Sequence, residues 1–110
     1  MRIFVFYEPE DRVIVLSEDE IIDEYYPFWQ ERLKSQGKDY LISYDNCIED
    51  WKVIHYAFEI PENLINGLKS FSIGLSVNSN DLHMLKKLLF IDGEYLTKAG
   101  SRVIELVEGL

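Results

Sequence analysis

The chain opens in a strand period and then switches to a helical one. Arg2–Tyr7 is apolar and almost wholly β-branched or aromatic, which predicts a strand. Arg12–Leu16 has the same character and predicts its hairpin partner, joined through Glu8-Pro9-Glu10-Asp11, a segment of turn composition. Ser17 with Glu20 three residues on is a capping box, and Ile21, Ile22, Tyr25, Phe28, Trp29 and Leu33 follow at helical spacing. That spacing assigns Tyr25, Phe28 and Trp29 to the core face and leaves Tyr26 pointing elsewhere. Gly37 supplies a stop. Pro27 removes one hydrogen bond to the preceding turn and predicts a kink or break near Tyr25–Tyr26.

Asp45 is placed to cap a short helix through Asn46–Asp50, and Trp51–Ile60 is rich in strand formers until Pro61 closes it. Ile48, Trp51 and His55 would also suit one face of a helix, but the strand reading completes a three-stranded sheet with the hairpin. From Pro61 the character becomes helical. Pro61–Leu68 predicts a short helix with proline in its first turn. Asn80 is the expected cap of a second, with Leu82, Leu85, Leu88 and Leu89 as its apolar stripe. Asp92-Gly93 marks a tight turn, and Thr97 caps a last helix with Val103, Ile104, Leu106 and Val107 facing inward. The class is α+β: a small antiparallel sheet (the hairpin plus one later strand) with a helix on it, then a helical part.

At 110 residues and 13.0 kDa the chain fits one domain, with an α+β half over 1–60 and a helical half over 61–110. Eleven basic residues against twenty acids give a net charge of −9, which argues against general phosphate binding. The deficit is uneven. Residues 1–60 hold 14 acids and 6 bases, a net of −8, and residues 61–110 hold 6 acids and 5 bases, a net of −1. The N-terminal apolar run is too short for a signal peptide, and no stretch approaches the ~18 apolar residues of a membrane span. A soluble cytoplasmic protein is expected, and the one cysteine suits a reducing compartment.

Candidate chemistry is sparse. Cys47 near Asp50 and His55 suggests a thiol–imidazole pair, yet Asp45, Glu49 and Asp50 would raise the thiol pKa, the wrong direction for a nucleophile. Asp45, Glu49, Asp50 and His55 match no zinc or calcium spacing, and phosphate-loop and nucleophile-elbow motifs do not occur. No catalytic residue, metal or cofactor is expected. The acids between Glu8 and Glu24 are the densest charge feature. They read as helix-dipole charges and a solvated face, or as a surface for a protein with a basic face. The second reading selects Glu10, Asp11, Glu18, Asp19, Asp23 and Glu24, with Tyr26 as aromatic anchor.

Two resemblances add to this. Glu18–Ile60, with its acid-rich start, Tyr25-Tyr26-Pro27-Phe28-Trp29 centre and Cys47-Ile48-Glu49-Asp50-Trp51 segment, resembles short uncharacterised proteins of bacteriophages, cyanophages included. It implies a phage origin and the host cytoplasm. Asn80–Leu106, a helix, an Asp-Gly wing and Leu96-Thr97-x-x-Gly100 opening a final helix, is similar to the second half of a winged-helix domain. That likeness implies a helix at Asn80–Phe90 in the major groove, with Lys86, Lys87, Lys98 and Arg102 on phosphate; the usual first helix is missing, since Val53–Ile60 reads as strand. The expectation is therefore a non-catalytic acidic interaction protein that modulates a host or phage protein, such as a defence or nucleic-acid-processing factor. A winged-helix-like nucleic-acid binder is the alternative, and self-association through the aromatic cluster a third. Neither a membrane nor a metal is expected among its partners.

Overall fold

A computed structural model describes residues 1–109. Strand β1 (Ile3–Glu8) pairs antiparallel with β2 (Arg12–Ser17), Ile3 opposite Ser17 and Glu8 opposite Arg12. Helix α1 (Glu18–Ser35) starts at once from the Ser17 cap: the Ser17 hydroxyl accepts from the Glu20 amide, and the Glu20 carboxylate accepts from the Ser17 amide at 2.9 Å. A single 3-10 turn at Asp39–Leu41 leads to α2 (Tyr44–His55), after which β3 (Phe58–Glu59) returns to the free side of β1. The sheet order is β2-β1-β3. There follow α3 (Glu62–Ser72), α4 (Ser79–Lys87), a small hairpin of β4 (Ile91–Asp92) and β5 (Tyr95–Leu96), and α5 (Lys98–Glu108). The arrangement is α+β.

Central position explains the composition of β1. Side chains alternate across a strand, so Ile3 and Val5 point to one face and Phe4 and Phe6 to the other. Ile3, Val5 and Val15 pack with Ile60, Leu64, Leu68, Leu85, Phe90 and Val103 from the C-terminal elements. Phe4 packs with Ile21, Ile48 and Trp51 from α1 and α2. Trp51 presents its edge to both Phe4 (centroids 6.1 Å apart) and Phe6 (5.6 Å), and His55 stacks on Phe6 at 4.6 Å. The sheet is thus a middle layer between two helical layers. Beyond its end, α1 and α2 continue against each other around Trp29, Leu33 and Cys47. The molecule is accordingly elongated, with extents of 52 × 28 × 23 Å.

Four expectations are corrected. Trp51–Ile60 is not one strand: α2 continues to His55 and the third strand is only Phe58–Glu59. Burial of Ile48 and Trp51 on one helical face against Phe4 outweighs the strand propensity of the segment. Ser43 rather than Asp45 caps α2, its hydroxyl accepting from the Asn46 amide at 3.0 Å. Pro27 does not break α1: the bond it removes leaves the carbonyl of Asp23, an exposed residue, open to solvent rather than orphaned in the core. Asn78, not Asn80, caps α4, its side chain accepting from the Asp81 amide at 2.8 Å.

Two helical glycines make opposite predictions. A Cβ on Gly67 of α3 would sit 3.4 Å from Val77 and 3.5 Å from Leu85, ordinary contact distances. Gly67→Ala should raise stability by about 0.5–1 kcal/mol, since it lowers the entropy of the unfolded chain. A Cβ on Gly100 of α5 would lie 2.1 Å from the Phe90 carbonyl oxygen, which accepts from the Thr97 amide and holds α5 to the start of β4. Gly100→Ala should destabilise by about 1–3 kcal/mol or more. Urea denaturation of the two variants checks both signs.

Candidate interaction surface

The six acids singled out from the sequence do not form one patch. Glu10 and Asp11 sit in the β1–β2 turn, both with left-handed backbone (φ 67° and 57°). Glu18 and Asp19 begin α1 at the opposite end of the same hairpin, beyond the whole length of β2, about 17 Å at about 3.4 Å per residue. The turn acids and the helix acids therefore act on different parts of the surface.

Within α1, position decides which acids are free. Glu18 accepts two hydrogen bonds from the Arg2 guanidinium, at 2.8 and 3.2 Å, and Arg2 also reaches Asp45 at 3.4 Å. The bond from Arg2 holds the Glu18 carboxyl below the usual glutamate range. Glu20 is doubly used, in the capping box and in an ion pair with Arg102 of α5. Asp19, Asp23 and Glu24 are exposed, and none has an ion-pair partner among the described residues.

The aromatic assignments exchange places. Tyr26 is half-buried in the seam between α1 and α2, with ring centroids 6.0 Å from Trp29 and 4.9 Å from Tyr44. Phe28, expected in the core, is 77% exposed. Its neighbours on the helix surface are Glu24 and Tyr25 at i−4 and i−3 and Glu31 and Arg32 at i+3 and i+4, whereas Asp19 and Asp23 lie on the other flank, beside Tyr44. The exposed side of α1 is consequently acidic, with one aromatic ring protruding at its border. Phe28 and Glu31 escaped the sequence reading because the same 3–4 spacing that marks a core stripe also marks its opposite face. Beside this face Glu18, Asp19, Ile22, Asp23 and Tyr44 line an open groove of about 410 Å³.

The face is held rigid from beneath. The Tyr25 hydroxyl donates to Asp50 of α2 at 2.5 Å, and Arg32 donates to the Tyr25 oxygen at 3.2 Å and to Asp50 at 3.0 Å. Burial, with the Asp50 hydrogen bond behind it, pushes the Tyr25 phenol upward, so it remains a neutral donor.

The four cations of the alternative reading are also dispersed. Lys86 and Lys98 meet at a cavity of about 680 Å³ between the β1–β2 turn and the start of α5, where Arg12 joins them. Lys87 is exposed and does not line that cavity, and Arg102 is spent on Glu20. Asp11 and Asp92 stand in the same lining. Arg12, missed as the lone base in an acidic run, is part of this cluster.

Cys47 is buried and its thiol is pushed up to about 11, first by burial and then by Asp50. It is a neutral thiol at pH 7. His55 lies eight residues along the same helix, about 12 Å in rise, so the two cannot share a proton. Among the described residues no three His, Cys, Asp or Glu side chains are grouped to hold a metal ion, and no helix is long and apolar enough to cross a membrane. No family model, curated protein or solved structure matches the chain.

The Arg2–Glu18 pair has a pH signature. A carboxyl whose folded pKa is depressed contributes stability above its unfolded value, near 4.3, and loses it as pH falls through the folded value. Glu18→Gln should cost no more than about 1 kcal/mol at pH 7, the range for partly exposed pairs. The difference from the parent should shrink as pH falls below the unfolded glutamate value and vanish only below the depressed folded one. Thermal unfolding of both proteins across that range measures it.

Proposed function

We propose that the chain is a non-catalytic interaction protein that engages a protein with a basic surface through the outer face of α1. The observation that carries this reading is the combination of unpaired Asp19, Asp23, Glu24 and Glu31 with the exposed ring of Phe28. Free carboxylates attract and orient a cationic partner, and the aromatic ring at the border of the acidic side buries area at low entropic cost. Tyr26 supports the seam beneath, and Glu18 fixes the start of the helix. Glu10 and Asp11 lie outside the face.

The likeness of residues 18–60 to short phage proteins supplies the setting: the host cytoplasm, with a host or phage protein as partner. A defence or nucleic-acid-processing factor has the required basic face, because it must itself bind phosphates, and carboxylates on α1 would stand in for them.

The test is capture from a bacterial lysate with the parent chain and with an Asp19→Lys, Asp23→Lys, Glu24→Lys variant. Partner affinity should fall at least tenfold in the charge variant. Phe28→Ala should cost about 1–2 kcal/mol of binding, five- to thirtyfold, with little loss of stability. If every captured protein binds the charge variant as tightly as the parent, the reading fails. Retention on duplex DNA at ~50 mM salt, lost on Lys86→Glu, would put the winged-helix-like reading in its place.

A further inference from the structure

Strand β2 is an edge strand, and its hydrogen-bonding register can be followed residue by residue. The Ile60 amide donates to the Ile3 carbonyl at 2.8 Å, which points the main-chain groups of Ile3 and Val5 toward β3. Those of Phe4 and Phe6 then point toward β2, as does the Arg2 carbonyl, which accepts from the Glu18 amide at 2.9 Å. Their partners opposite are Leu16 and Ile14. The N–H and C=O groups of Val13 and Val15 are consequently turned outward, away from the sheet. Among the described residues they have no other partner. At Ser17 the edge is closed, because its amide is bonded to Glu20.

A groove runs along this edge. Val13, Ile14 and Val15 form one wall and Lys98, Ala99 and Arg102 of α5 the other, enclosing about 290 Å³. Through the shared residues Val13, Lys98 and Ala99 it opens into the cavity of about 680 Å³, whose apolar floor includes Leu89 and Ile91. Arg12, Lys86 and Lys98 border the combined groove and carry no ion pair among the described residues. Against Asp11 and Asp92 in the same lining they leave a surplus of one positive charge, in a chain of net −9.

We infer that β2 is a docking edge that takes an extended acidic segment of another protein as a fourth strand of the sheet. Strand addition supplies the bonds that Val13 and Val15 lack. Alternate side chains of the added segment set apolar groups on the Val13–Ala99 floor and carboxylates beside Lys98, Lys86 and Arg12. An unprotected run of Val13-Ile14-Val15 is otherwise an aggregation hazard, with no proline or inward charge to blunt it. A second copy of this chain is a poorer occupant. Joining β2 to β2 in one antiparallel sheet puts both α5 helices on the same face, where each would occupy the groove beside the other's β2. This surface is separate from the α1 face and opposite to it in charge, so it stands without that reading.

The probe is a fluorescein-labelled octapeptide alternating valine and glutamate, titrated into the full chain at ~50 mM salt. It should bind at least tenfold more tightly than the same peptide with lysine for glutamate. Methylation of its alternate backbone amides should remove binding. In the free chain the amide protons of Val13 and Val15 should exchange quickly and those of Ile14 and Leu16 slowly. Bound peptide should slow Val13 and Val15 at least tenfold. Lys98→Glu, with unfolding unchanged, should weaken the peptide at least tenfold, and Phe28→Ala should leave it unaltered. No binding up to about 1 mM, equal binding of the lysine peptide, or full binding of the methylated peptide each overturns the inference. So does self-association of the chain that is lost on Val13→Pro.

Discussion

Everything in this structure depends on the Ile3–Val5 segment of β1 having no solvent face. Ile3 and Val5 are covered by C-terminal elements and Phe4 by α1 and α2, so one six-residue strand belongs to two hydrophobic clusters at once. A strand covered on both sides must be nearly continuous in apolar residues. It must also be central, with partners on both edges, which is why even the two-residue β3 is indispensable: it pairs the side of β1 that β2 leaves open. The small sheet is in this sense a septum between two helical layers, and its outer strand β2 is the part left unfinished.

Much of the architecture was legible in local signals. The hairpin, the Ser17–Glu20 capping box, the Thr97 cap and the Asp92-Gly93 turn depend on neighbours within a few residues, and each is found where the sequence puts it. Two of the misreadings share one cause. Trp51–Ile60 is composed like a strand, and only the Phe4 and Ile21 side chains, far away in sequence, decide that Ile48 and Trp51 are better used on a helix. Phe28 failed in the same way. Helical period shows which residues lie together, but the choice of stripe that faces the core is made by α2, and α2 selects Trp29 and Leu33.

The candidate surface was legible in composition and illegible in geometry. Counting charge locates the acidic run, yet the run is divided among three duties. Glu18 and Glu20 hold the start of α1 to Arg2 and Arg102, Glu10 and Asp11 sit in a turn at the far end of the hairpin, and Asp19, Asp23 and Glu24 are the acids left free at the start of α1. The dispersal applies equally to the cations. Total charge records none of this, because an ion pair such as Arg102–Glu20 cancels in the sum while spending both residues.

That same pair joins positions 82 residues apart in the chain. Val103 likewise packs in the cluster that covers Ile3 and Val5. The first helical layer closes on β1 with residues up to Trp51, whereas the second is completed only by α5. During synthesis the nascent chain therefore holds a half-clad sheet, with the cover of the Ile3–Val5 face incomplete until Val103 has been added. Closing that face brings together residues from opposite ends of the described chain, and contacts of such long sequence separation carry the largest loop-closure cost.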